Sequence, residues 1–133
     1  MIDLGLYSDF VLQTTSPESL KTETMMARCY ELNKTTDLEV SQALTASIGM
    51  QAESGEFAEV IKKVVFQGKQ WTEENQFHLK RELGDILWYW IQGCIAIGTT
   101  PEEVIQENIK KLSKRYPQGF EVIRSEVRDV DDV

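Results

Sequence analysis

The chain has 133 residues, 41% of them hydrophobic, and a net charge of −8 from 14 Lys and Arg against 22 Asp and Glu. That balance excludes a disordered chain and fits one globular domain over 1–133, while the negative charge argues against a general nucleic-acid or anionic-membrane binder. The surplus sits at the ends, with 7 acids against 3 bases over 1–39 and 5 against 2 over 116–133, whereas 40–115 is nearly neutral with 10 against 9.

Met1-Ile2-Asp3-Leu4 has neither a basic nor an apolar leader character, so no signal peptide is expected. Leu4, Tyr7, Val11 and Leu12 then mark a short amphipathic helix over about 4–14. Ser16-Pro17-Glu18 gives an N-cap, a proline at the first helical position and an acid in the first turn. The helix that follows, to about Leu32, keeps only loose apolar spacing, and 33–37 is a polar break. A long helix over about 38–66 carries one row through Leu44, Ile48 and Gly55, and a second through Val40, Leu44, Val60 and Val64. Gly68 stops it.

Thr72, followed by Glu73 and Glu74, caps the next helix, which runs to about Ile97 and ends at Gly98. Its apolar stretch near 86–98 is interrupted by Gln92 and is too short to span a membrane. Cys94 in that stretch is expected to be a small buried thiol. With Cys29 as the other cysteine there is no disulfide framework, and the cytoplasm is the expected compartment. Thr100-Pro101-Glu102-Glu103 is a complete helix start with a capping box. That helix ends near Tyr116, and 121–133 is an acidic, loose tail with room for one helical turn. No segment shows the alternation of a strand. The expected fold is all-α, a four- to five-helix bundle with its core over about 38–120.

Glu53 and Glu56 are three apart on the long helix, and Glu82 and Asp85 are three apart on the next. Each pair shares one helix face. Glu82 and Asp85 open a run that is apolar nearly all round, which predicts burial beyond them. Clustered carboxylates in a partly dry site repel one another unless a cation compensates. All-oxygen donors favour hard ions such as Mg²⁺ or Mn²⁺. Either tetrapeptide alone is an ordinary solvated helix face; two in sequence beside apolar runs make a candidate metal site. A di-iron bundle would need Glu-x-x-His motifs. The single histidine, His78, has Asn75 three residues before it and is expected to be exposed in the polar turn 76–81.

Further on, Asn108, Lys111 and Arg115 share a face near the end of the last long helix. Cations there complement the helix dipole in any protein. Beside a metal-binding quartet they also suit phosphate oxygens, Arg as a planar fork and Lys as a point charge.

The ordered set Glu53-x-x-Glu56, Glu82-x-x-Asp85, Asn108-x-x-Lys111 and Arg115-Tyr116-Pro117-x-Gly119-Phe120 resembles the MazG-type nucleotide pyrophosphohydrolases of the all-α NTP pyrophosphatase superfamily, with the dimeric dUTPases as relatives. The resemblance spans about 44–120. It implies Mg²⁺-dependent conversion of a (d)NTP to (d)NMP and pyrophosphate, with Glu53, Glu56, Glu82 and Asp85 as metal ligands and Glu53 and Glu56 closest to the catalysis. It also implies that Lys111, Arg115 and Tyr116 face the phosphates with Asn108 nearby, in a homodimer or homotetramer with sites near subunit interfaces. Many members carry a second acid before the first motif Glu; here that position is Ala52, which leaves the water-activating base open. Trp71, in the loop before the Thr72-capped helix, is the candidate for stacking on the nucleobase, although core packing is the commoner role of a Trp in a bundle. The competing expectation is a non-catalytic nucleotide-sensing or protein-interaction module on the same fold.

Overall fold

A computed structural model describes residues 2–127. The described residues form seven helices and no strand: α1 (Leu4–Thr14), α2 (Pro17–Leu20), α3 (Thr22–Thr35), α4 (Val40–Phe66), α5 (Glu73–Ala96), α6 (Pro101–Arg115) and α7 (Val122–Glu126). The all-α expectation holds with more helices than expected. One reason is local: the helix expected after Ser16 is two. Lys21, at φ −133° and ψ 121°, leaves the helical region and separates α2 from α3. The loose spacing of Leu20, Met25, Met26 and Cys29 is the sequence trace of that break, since no straight stripe joins them. The other addition is α7, one short helix within the segment expected to be a loose tail; the rest of that segment, 128–133, lies outside the described residues.

Caps set most helix starts. Asp3 accepts from the Gly5 and Leu6 amides at 2.9 and 3.2 Å. Thr72 accepts from the Asn75 amide at 3.2 Å. The capping box at α6 is complete: the Glu103 amide donates to Thr100 Oγ1 at 3.2 Å, and the Thr100 amide donates to Glu103 Oε2 at 3.0 Å. At α4 the cap comes from the preceding helix, because Asn33 Oδ1 accepts from the Val40 amide at 2.9 Å.

The centre of the fold is the antiparallel pair α4 and α5, 27 and 24 residues long, or about 40 and 36 Å at the α-helical rise. Gly68 and Gly98 take positive φ (71° and 70°) to end these two helices. After α5 the Gly98 amide donates to Ile95 O and the Thr99 amide to Cys94 O, closing the turn in the manner of a Schellman motif. The Glu39 amide donates to Ala96 O at 2.9 Å, pinning the start of α4 to the end of α5. Gln42 and Gln92 hydrogen-bond between the two helices.

The pair packs through small residues. Ala46 and Gly49 are buried with Val40 and Val60 on α4, facing Leu79, Cys94 and Ala96 on α5. Cys94 is the buried thiol expected of it. The apolar rows of α4 divide: Val40 and Val60 are buried, whereas Leu44 and Ile48 point outward, Ile48 being 68% exposed. The burial expected beyond Asp85 is met only further along α5, at Cys94 and Ala96, while Leu87 and Trp88, next to the acids, are each 55% exposed in the single chain. Small residues win the interface because they let two backbones approach closely, which leaves the large apolar side chains on the outer faces. Among the described residues no large side chain is fully buried.

Candidate metal site

The four carboxylates stand on the facing helices α4 and α5. Glu82 is the innermost, only 7% exposed, while Glu53 is half-buried and Glu56 and Asp85 are exposed. Donor atoms of Glu53, Glu82 and Asp85 lie within 4.8 Å of one another. A second group, Glu56, His78 and Glu82, meets the same limit, so Glu82 belongs to both. The spacing of three within each pair aims both acids of a helix the same way, and the antiparallel pairing brings the two faces together.

The electrostatics of the cluster favour a cation. The carboxyl of Glu53 is held above its ordinary pKa, first by desolvation, then by the hydrogen bond it shares with Glu82, then by the charges of Glu56, Glu82 and Asp85. Two carboxyl groups that hydrogen-bond must share a proton, and a divalent ion bound among them would take that proton's place. The donor chemistry therefore suits a metal.

His78 is the group that the motif pattern missed. Its side chain is half exposed, as its polar turn suggests, yet its Nε2 lies 2.9 Å from Glu82 Oε1. The signal was a spacing of four: His78 precedes Glu82 by one helical turn, whereas the di-iron pattern looks for an acid three residues before the histidine.

The basic residues lie elsewhere. Asn108, Lys111 and Arg115 line a groove of about 960 Å³ together with Lys110, Lys114 and Arg124. None of the four carboxylates lines it. Tyr116 follows α6 as its C-cap, with its ring 5.4 Å from that of Phe120 and 5.8 Å from the Arg115 guanidinium carbon. Trp71 is exposed in the loop between α4 and α5. The structure thus unites the carboxylates and adds His78 to them. It does not bring the carboxylates into the groove that the basic residues line.

Fold and site define an all-α protein with a carboxylate cluster able to hold a metal ion. The sequence model of the MazG nucleotide pyrophosphohydrolase domain matches residues 42–120, and the chain belongs to that family. The gene 37 protein of Mycobacterium phage L5 is 35% identical over 75 residues, covering 55% of this chain and 65% of the phage protein. The chain therefore spans less than two thirds of that relative's length. No solved structure matches the chain. No helix among the described residues is long and apolar enough to cross a membrane.

Proposed function

We propose that this protein is a Mg²⁺-dependent nucleoside triphosphate pyrophosphohydrolase that converts an NTP or dNTP to the monophosphate and pyrophosphate. The observation that carries this reading is the meeting of two carboxylate pairs around the buried Glu82, in a chain of a nucleotide pyrophosphohydrolase family. Glu53, Glu56, Glu82 and Asp85 would hold the metal. Bound there, Mg²⁺ (or Mn²⁺) neutralises phosphate charge and makes water more acidic. Water adds to a phosphorus of the α–β linkage, the bond to the bridging oxygen breaks, and pyrophosphate leaves. Ala52 supplies no acid beside the first ligand, so the proton released by water goes to the cluster itself, at a carboxylate oxygen of Glu53 or Glu56.

Phosphate binding falls to Lys111 and Arg115, with Asn108 and Tyr116 beside them and Trp71 free to stack on the base. Because the carboxylates do not line the groove of the basic residues, the working enzyme on this reading is a homodimer or homotetramer in which a second chain completes the site. The outward Leu44, Ile48, Leu83 and Leu87 supply apolar faces for that assembly.

The test is to incubate the purified protein with a panel of NTPs and dNTPs plus Mg²⁺ and resolve the products. Monophosphate and pyrophosphate are expected from at least one nucleotide. Diphosphate with orthophosphate, or no turnover of any nucleotide, would refute the reading. Binding of a non-hydrolysable nucleotide without turnover would identify a sensor instead.

A further inference from the structure

His78 is the one histidine of the chain, and it stands at the carboxylate cluster with no role in the reading above. Its Nε2 is 2.9 Å from Glu82 Oε1, and an imidazole nitrogen lies within 4.8 Å of a carboxylate oxygen on each of Glu56 and Glu82. Two of these three groups, His78 and Glu82, are one turn apart on α5, so the helix backbone itself holds the nitrogen and the oxygen side by side. The third, Glu56, reaches across from α4. Buried Glu82 is shared with the other donor group, Glu53 and Asp85.

The two groups differ in chemistry. Glu53, Glu82 and Asp85 offer oxygen only, which suits Mg²⁺. Glu56, His78 and Glu82 offer two carboxylates and an imidazole, a set that accepts first-row transition ions. The imidazole also lines a cleft of about 340 Å³ with Lys69, Gln70, Thr72, Glu74 and Asn75, so its side of the cluster opens to solvent.

We propose that His78 is a cation ligand, completing with Glu56 and Glu82 a nitrogen-containing site for Mn²⁺ or a chemically similar divalent ion beside an all-oxygen site, with Glu82 bridging the two. This rests on the reading of the carboxylate cluster as a divalent-cation site. The two positions are then unequal: removing the imidazole weakens the transition-ion site and leaves the Mg²⁺ site largely intact.

A single histidine makes the test clean. Mn²⁺ is added to the metal-free full-length protein, and pulsed electron paramagnetic resonance is used to look for nitrogen coupling to the ion. The expected result is a ¹⁴N coupling in the unlabelled protein that becomes a ¹⁵N coupling when only histidine is ¹⁵N-labelled. His78→Gln should lose the coupling and bind Mn²⁺ about 10-fold more weakly or worse, with Mg²⁺ affinity changed by less than about threefold. Mn²⁺ bound without nitrogen coupling, or a coupling that ignores the label, overturns the role of His78 while the carboxylate site stands. No Mn²⁺ binding by the wild-type protein, by calorimetry as well, overturns both. The labelling experiment needs no variant, so a misfolded His78→Gln would leave the decision with it.

Discussion

Gly49→Ala tests whether the close approach of α4 and α5 holds the fold and site together. A Cβ at position 49 would lie 2.3 Å from Cδ1 and Cε1 of Tyr89 and 2.5 Å from its Cζ. Carbon atoms in contact sit about 3.5–4.0 Å apart, so the ring would have to retreat by more than about 1 Å. Overpacking of this kind costs about 1–3 kcal/mol, and three ring atoms in conflict put it in the upper half of that range. The better helix propensity of Ala returns about 1 kcal/mol. The net loss is about 1–2 kcal/mol, a fall in Tm of about 3–10 °C for a chain of this length. Gly49 is one turn before Glu53 on α4, and Tyr89 one turn after Asp85 on α5. On the proposed reading, a displaced ring therefore also spreads the carboxylates and should weaken any stabilisation by added Mg²⁺. The assay is urea and thermal unfolding of wild type and variant, each with and without Mg²⁺. Gly55→Ala is the control, because a Cβ there meets nothing within 4 Å, and it should leave the protein as stable as wild type or up to about 1 kcal/mol more so. A Gly49→Ala variant as stable as its Gly55 counterpart would refute the packing argument.

Glu53→Gln removes a repulsive charge and keeps a hydrogen-bonding group toward Glu82, so the metal-free variant should melt higher than wild type and lose much of the Mg²⁺-induced rise, as read by differential scanning calorimetry. Thr100→Ala should cost about 1 kcal/mol at neutral pH through the lost cap, measured by urea denaturation. The Glu103 carboxyl is held below its ordinary pKa, first by the Thr100 backbone amide and then by the Thr99 and Thr100 side chains. Its contribution is therefore present above the unfolded Glu value of about 4.3 and lost as pH falls through the lower folded value, so a Glu103→Gln variant should be less stable than wild type at neutral pH and the gap between them should narrow in acid. On the proposed assembly, Ile48→Glu should shift the protein toward monomer in sedimentation velocity while the far-ultraviolet circular dichroism stays helical.

What could be read from the sequence was what local chemistry decides. Thr72, Thr100 with Glu103, Gly68 and Gly98 act within a few residues of themselves, and each sets the helix boundary expected of it. The two carboxylate pairs are likewise fixed by helical spacing. What could not be read depends on which face meets which. Leu44 and Ile48 stand in the apolar rows of α4, yet the buried face runs through Val40, Ala46, Gly49 and Val60. Hydropathy scores side chains by size, and a close helix pair selects for their absence. His78 escaped for a similar reason: its polar neighbours describe the exposed side of the turn, while its one relevant contact, Glu82, is a turn ahead. The split at Lys21 has no cap or glycine to announce it, since α3 begins without a side-chain cap.

The features that make the site also leave the single chain poorly covered. Ala46 and Gly49 allow the approach that brings Glu53 toward Glu82, and the same approach leaves Ile48 and Leu87 in water. Glu82 is buried among acids, so the metal-free cluster carries a charge that only protons or cations relieve. A cation at a hundred times its dissociation constant would stabilise the fold by about 2.7 kcal/mol, comparable to or more than the loss worked out for Gly49→Ala. A second chain covering the outer faces would act in the same direction. The uneven distribution of charge fits this scheme. Four of the ten acids in the nearly neutral centre are the cluster itself, so cations bound there turn that region positive while both ends stay acidic. On the proposed reading, the loaded centre then draws in a polyphosphate as small as a nucleotide, and the acidic ends repel a polynucleotide.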